Sequence, residues 1–227
     1  MSYSRYAIYY APEPGPLAEF AAHWLGWDPE MRVSVAHPAL AGLPRPLAAL
    51  TAEPRKYGFH GTLKAPFRLA EARDEAMLRR ELEALAAGLD PVVLPGLRLS
   101  RIGRFLALTP RGDTDALETL AARVVRDLDP LRAPMTAAER ARRRPEALSP
   151  PQAALLDRWG YPYVMEEFRF HLTLTGPLEA AEAAQVEAVL APVLEPLLPE
   201  PFAIRSLCLF GEAADGRFHL LHRAAIG

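Results

Sequence analysis

The sequence contains a single cysteine and no long apolar run, and each shortage excludes a class of protein. Cys208 is the single cysteine in 227 residues, which excludes a disulfide framework and a metal cluster held by thiolates. The longest stretch without a charged side chain, residues 33–44, has 12 residues and is too short to cross a bilayer. The first residues contain no basic segment followed by an apolar one, so we expect no secretory signal, no membrane partner and a cytoplasmic protein.

A basic excess is also missing, which bears on the kind of partner. The 26 basic and 28 acidic residues give a net charge of −2. Proteins that hold long nucleic acids through many phosphates usually carry a basic excess, so no long nucleic acid is expected as a partner. A small phosphorylated substrate is compatible with this charge because it needs only a local cluster of cations. The sequence leaves the oligomeric state open.

Half of the residues are hydrophobic, which is enough for the core of a single domain of this length. Strand and helix patterns alternate along the chain, and the order of elements suggests two similar halves. Strands are predicted at residues 167–175 and 202–210, and the helix predicted between them, from residue 179 to about 198, is expected to be interrupted by Pro192 and Pro196. Residues 129–160 are predicted to be a helical insertion between them, because Thr136 with Glu139 and Ser149 with Gln152 form capping-box patterns. The basic run 140–144 in this insertion is interpreted either as a solvated helix end or as a segment that captures an anionic substrate.

A short repeat supports the division into halves. The sequence Phe-His-Gly-Thr-Leu at residues 59–63 recurs as Phe-His-Leu-Thr-Leu at residues 170–174, with four identities in five positions. In a strand, side chains two residues apart point to the same face. If both segments are strands, His60 and Thr62 share one face, and His171 and Thr173 share another. Lys64 is expected to extend the first polar face, and Arg169 the second.

Two such strands side by side would bring two imidazoles and two hydroxyls together. One neutral imidazole can accept a proton while a second, protonated one donates a proton, which is what displacement at phosphorus requires. The threonine hydroxyls can donate hydrogen bonds to the phosphate oxygens. This chemistry needs no metal and no other cofactor. A metal site at His219 and His222 is not expected, because residues three apart on a strand face opposite ways.

With these motifs, the sequence resembles the two-histidine phosphoesterase superfamily, which includes the LigT-like cyclic phosphodiesterases. Residues 57–67 and 168–176 are most similar to a bacterial branch associated with phosphonate metabolism. The resemblance implies an α+β fold, a bilobal LigT-like duplication in which antiparallel strands line a central cleft and helices lie outside. The whole chain, residues 1–227, would then form one bilobal domain, with one motif in each lobe.

The resemblance also implies the roles of the site residues. His60 and His171 would be the acid–base pair, with His171 favoured as the base, and Thr62 and Thr173 would bind phosphate oxygens. Lys64, Arg169 and Tyr57 are further candidates for substrate binding. We therefore expect a metal-independent phosphoesterase that acts on a small cyclic or linear phosphodiester. The alternatives are RNA end-processing or ligation by the same residues, and a module that binds a phosphorylated metabolite without catalysis.

Overall fold

The fold is built around one antiparallel sheet whose centre carries both sequence motifs. A computed structural model describes residues 3–227. The seven-stranded sheet has the order β4-β5-β6-β2-β1-β8-β9, and a separate two-stranded sheet pairs β3 with β7. The strands are β1 (Tyr6–Tyr10), β2 (Gly61–Phe67), β3 (Val92–Leu94), β4 (Gly96–Ile102), β5 (Phe105–Arg111), β6 (Leu172–Thr173), β7 (Phe202–Ile204), β8 (Ser206–Glu212) and β9 (Phe218–Ala225).

Several helices carry capping residues at their ends. Asp74 accepts a hydrogen bond from the Met77 N–H at the start of α4, and Gly26 closes α1 in a left-handed conformation. The helices are α1 (Pro16–Leu25), α2 (Leu47–Leu50), α3 (Ala52–Arg55), α4 (Glu75–Ala87), α5 (Asp115–Asp127), α6 (Ala137–Arg142), α7 (Pro150–Trp159) and α8 (Ala180–Leu194). Within residues 3–227, no helix is long and apolar enough to cross a membrane.

The main core lies between the sheet and the long helices. Ile8 and Leu63 on the sheet pack with leucines of α4, α5 and α8, including Leu82, Leu117 and Leu190, in one buried cluster. A smaller cluster, which includes Tyr9, Cys208 and Phe210, fills the other side of β1 and β8. Because the strands alternate their side chains, β1 contributes to both clusters. The predicted α+β class with antiparallel strands and outer helices is confirmed.

Two strand predictions need correction. Residues 167–175 were expected to form one strand, but only Leu172–Thr173 do, after a 3-10 turn at Met165–Glu167. The predicted strand 202–210 is split in two, because β7 pairs with β3 while β8 pairs with β1 and β9. Pro192 does not interrupt the last long helix and is accommodated inside α8.

The insertion is helical and is attached to the rest of the protein by ion pairs. Both predicted capping boxes are present, at the starts of α6 and α7. Arg68, which directly follows β2, donates two hydrogen bonds to the carboxylate of Glu139 in α6, at 2.7 and 3.0 Å. Arg140 of α6 pairs with Asp157 of α7 at 2.7 Å. These contacts hold α6 beside the end of β2.

Candidate active site

The two sequence motifs meet through the pairing of β2 with β6. Gly61 lies opposite Leu172 in an antiparallel register. By the alternation of the pleat, His60 then lies opposite Thr173 and Thr62 lies opposite His171, so each histidine faces the threonine of the other motif. Opposed side chains in such a pair are about 5 Å apart at Cβ, and the two histidines occupy diagonal positions about 7–8 Å apart. The four side chains therefore belong to one face of the sheet.

Each imidazole is oriented in the same way by the backbone. The carbonyl of Gly58 lies 2.9 Å from His60 Nδ1, and the carbonyl of Arg169 lies 2.7 Å from His171 Nδ1. A carbonyl can only accept, so Nδ1 carries the proton in both rings and Nε2 is the atom left for proton transfer in the neutral ring. Gly58 has a φ of +72°, and a Cβ there would lie 2.5 Å from Pro29. Glycine at position 58 thus allows the turn that presents this carbonyl.

Burial keeps both histidines neutral in the free protein. Loss of solvent lowers the pKa of His60 to about 4, against a smaller raising effect from the Gly58 carbonyl. Loss of solvent also lowers the pKa of His171. A charge on His171 lowers the pKa of His60 further, because two neighbouring imidazolium charges repel each other. Both side chains keep partial exposure and can reach solvent.

A cleft of about 620 Å³ opens over this part of the sheet. Its lining includes His60, Thr62, Thr173 and Tyr57, four of the residues that the sequence predicts. His171 is not itself a lining residue; its ring lies 5.6 Å from that of Phe105, which does line the cleft. The ring of Tyr57 lies 5.6 Å from that of His60. The cleft lining thus offers one histidine, two hydroxyls and an aromatic wall to a phosphate ester, with the second histidine next to the lining residue Phe105.

Lys64 does not lie in the cleft, contrary to the expectation from strand alternation. A bulge in the pairing of β1 with β2 places Tyr9 opposite Thr62 but Ile8 opposite Lys64, so Lys64 turns to the helix-covered face. Its ammonium is 3.1 Å from Asp129 and donates to the Val125 carbonyl at 3.1 Å. Burial lowers the pKa of Lys64 to about 8, although the Asp129 carboxylate raises it. The position of Lys64 is that of a structural residue.

Arg169 also lies outside the lining of the cleft. Its side chain is exposed, and among residues 3–227 it donates only to the carbonyl of Phe168, at 3.4 Å. Residue 169 precedes the short strand β6, so the strand alternation that placed its side chain beside His171 does not apply there. Its contribution to the site is the backbone carbonyl that orients His171.

Several cleft residues were not predicted. Tyr9 is 1% exposed, and its ring centroid lies 4.0 Å from that of His60. Tyr161, directly after the insertion, lines the cleft, and Arg5 lines it from the start of β1. Arg143 of the basic run 140–144 also lines it, which is the second of the two interpretations of that run. The aromatic character of residues 6–10 indicated a strand but not a contact with His60. This contact depends on the register of β1 against β2, which the sequence does not specify.

The chain belongs to the family described as "Protein of unknown function (DUF1045)", whose model matches residues 62–219. Two curated relatives are named "Ribose 1,5-bisphosphate phosphokinase PhnN". The one from Janthinobacterium sp. (strain Marseille) is 45% identical over 80% of this chain and 41% of its own length. The one from Laribacter hongkongensis (strain HLHK9) is 34% identical over 93% of this chain and 49% of its own length. The chain spans less than half the length of these relatives.

Solved structures with a similar fold include Escherichia coli LigT complexed with NADP+, with 17% identity, a TM-score of 0.47 and coverage of 100% of this chain and 99% of that chain. LigT complexed with 3′-AMP has 18% identity, a TM-score of 0.47 and 99% coverage of both chains. A structure described as a phosphoesterase has 17% identity, a TM-score of 0.43 and 98% coverage of both chains.

Proposed function

We propose that this protein is a phosphoesterase that cleaves a small cyclic or linear phosphodiester by acid–base catalysis between His60 and His171, with no metal or other cofactor. The observation that carries the proposal is the Gly61–Leu172 register, which sets each histidine opposite the other motif's threonine on one face of the sheet. Thr62 and Thr173 would donate hydrogen bonds to the non-bridging oxygens of the phosphate.

In the proposed reaction, one neutral imidazole accepts a proton from water through Nε2 as the water oxygen forms a bond to phosphorus. The ester bond to the leaving oxygen breaks, and the protonated second imidazole donates its proton to that oxygen. The product is a phosphomonoester. The low pKa of His60 supports His60 as the base and His171 as the acid. This reverses the assignment that the family resemblance favours.

The first substrates to test are nucleoside 2′,3′-cyclic phosphates and ribose phosphates that carry a 1,2-cyclic ester. The kinase name belongs to the curated relatives, and no kinase activity is proposed for this chain. Its two lysines, Lys56 and Lys64, follow Arg55 and Leu63, so it contains no Gly-Lys-Ser/Thr phosphate loop of the kind that P-loop kinases use. A role in phosphonate metabolism stays a prediction.

The test is hydrolysis of a panel of these cyclic phosphates by the wild type and by His60→Ala and His171→Ala. Each substitution is expected to lower kcat by about 10²–10⁴-fold, because each removes one proton-transfer group. His23→Gln is the matched control, since the His23 ring is bonded to the Ala36 carbonyl away from the cleft. Activity within tenfold of the wild type in either alanine variant, with the fold intact by circular dichroism, would refute the role of that histidine.

A further inference from the structure

The cations around the cleft fall into two groups. Arg5, Arg68 and Arg132 each have a carboxylate partner, at 2.6, 2.7 and 2.8 Å respectively. Lys56, Arg142 and Arg143 also line the cleft, but within residues 3–227 none of them has a carboxylate within 4.0 Å. The Lys56 ammonium lies over the ring of Tyr57, 4.8 Å from its centroid, and the two arginines are adjacent on the insertion. In a protein with more acidic than basic residues, two adjacent uncompensated arginines on the wall of a cleft indicate that their counter-charge comes from a ligand.

The arginines of the basic run 140–144 have two kinds of surroundings. Arg140 pairs with Asp157 of α7, and Arg144 lies 3.9 Å from Glu146. Arg142 and Arg143, between them in sequence, are the members of the run that line the cleft. If the run were only a solvated helix end, no such division between arginines paired with carboxylates and arginines that line the cleft would be expected. The ion pairs Arg68–Glu139 and Arg140–Asp157 hold α6 in place, so the two arginines are presented from a fixed support.

Aromatic contacts set the direction of one of these side chains. The guanidinium of Arg143 lies over the ring of Tyr161, 5.0 Å from its centroid, and Tyr161 also lines the cleft. A guanidinium held over a ring loses less freedom when it binds an anion, and its planar N–H groups match phosphate oxygens.

The cleft also offers space and little opposing charge for a second anionic group. Of the lining carboxylates, Glu139 is neutralised by Arg68, and Glu53 lies in α3 beside Gly176, on a different part of the wall. The volume of about 620 Å³ is also larger than one phosphate requires.

We propose that Arg142 and Arg143 bind a second anionic group of the substrate, and that the substrate is a phosphodiester that carries a further phosphate outside the ester. This inference rests on the proposed function of the His60–His171 site. The arginines bind the distal phosphate while the threonine hydroxyls hold the reacting one. The insertion is then the element that selects substrates with two phosphate groups over substrates with one.

The test compares two probes, adenosine 2′,3′-cyclic phosphate with and without a 5′-phosphate. The wild type should favour the 5′-phosphorylated probe by at least about tenfold in kcat/KM, the usual effect of a charge-assisted contact. The double variant Arg142→Gln/Arg143→Gln should lose this preference and keep its kcat/KM for the unphosphorylated probe within about threefold. Arg144→Gln is the matched control and should keep the preference. A wild type without the preference, or a double variant that retains it, would overturn the inference.

A binding measurement separates failure of the inference from failure of the proposed function. Calorimetric titration with adenosine 2′-monophosphate and adenosine 2′,5′-bisphosphate needs no turnover. Tighter binding of the bisphosphate that disappears in the double variant supports the arginine site even if neither cyclic probe is hydrolysed, and only the catalytic proposal then fails. Equal or absent binding of the two ligands by the wild type contradicts the arginine site, whatever the hydrolysis result.

Discussion

His60 is a histidine that burial holds in the neutral form, and this determines how the site should respond to pH. Its pKa is about 4, and that of His171 is also below the ordinary 6.5. The pair therefore carries a single proton only below about pH 6.5. A catalyst that needs one neutral and one protonated imidazole has its active free form in that range.

We expect kcat/KM for a cyclic phosphate to follow a bell with its maximum between about pH 4 and 6.5. Above the maximum the acid loses its proton, and below it the base gains one. The measurement is the pH profile of kcat/KM in buffers of constant ionic strength. His60→Ala should lose the acidic limb if His60 is the base. A maximum above pH 7.5 would contradict the assignment of the low pKa values to the reacting pair.

The same burial makes the folded state sensitive to acid. The unfolded chain binds a proton at His60 near pH 6.5 and the folded chain only near pH 4, so the contribution of His60 to stability is present above 6.5 and is lost as the pH falls toward 4. The loss is at most about 3.5 kcal/mol, at about 1.4 kcal/mol per pKa unit. His60→Asn should show a smaller fall in the free energy of unfolding between pH 7 and 4.5, measured with urea. Parallel curves for the two proteins would refute this contribution.

Single residues of the site were predictable where strand alternation holds and not where it fails. The face shared by His60 and Thr62 follows from the sequence because no irregularity separates them. Lys64 lies beyond a bulge whose position depends on Ile8 and Tyr9 of the neighbouring strand. Nothing in residues 59–67 alone encodes that bulge, so the prediction from strand alternation gives the wrong face for Lys64.

At the scale of the element, one face of β2 carries Thr62, and Lys64 on its other face forms an ion pair with Asp129 after α5. Lys64→Ala should lower the free energy of unfolding by about 2–4 kcal/mol because it removes one member of a buried ion pair, and Lys64→Met should lower it less. Both variants should keep kcat/KM within about threefold when folded. Urea unfolding and steady-state kinetics on the same samples make the test. A loss of more than tenfold in kcat/KM with normal stability in Lys64→Met would restore Lys64 as a substrate contact.

The junction of β2 with β6 depends on the absence of a side chain at Gly61. A Cβ at this position would lie 2.4 Å from the ring of Phe170. Gly61→Ala should destabilise the fold by about 1–3 kcal/mol and lower kcat by at least about tenfold, because Phe170 must shift and the histidines move with their strands. Gly88→Ala is the control, since a Cβ there has ordinary contacts of 3.7 Å. Equal effects of the two substitutions would contradict this reading of Gly61.

At the scale of the whole molecule, the sheet mixes strands from the two ends of the chain. The hairpin β8-β9 lies beside β1, while β4 and β5 lie beside β6. The repeat in the sequence indicates one motif in each half, but it does not specify which strand the last hairpin joins. That choice is made by long-range packing, such as Phe210 and Phe218 against Tyr9, and no local pattern reports it.

The size of the cleft and the net charge together predict how the protein responds to oligonucleotides. The Kd for single-stranded RNA of one to ten nucleotides with a 3′-phosphate should stop falling after one or two nucleotides. The cleft has room for a small ligand, and a chain of net charge −2 offers few cations to further phosphates. Fluorescence anisotropy against a DNA series of equal length provides the control. Continued tightening up to ten RNA nucleotides would favour RNA end-processing instead.

The position of β8 and β9 beside β1 has a consequence for synthesis on the ribosome. Strand β1 can find β2 early, but its other edge has no neighbour until residues 206–212 have also been translated. Pairings between such distant residues form slowly, and an uncovered strand edge attracts other chains in the meantime. Nascent molecules of this protein are therefore expected to depend on chaperones until β8 has been made.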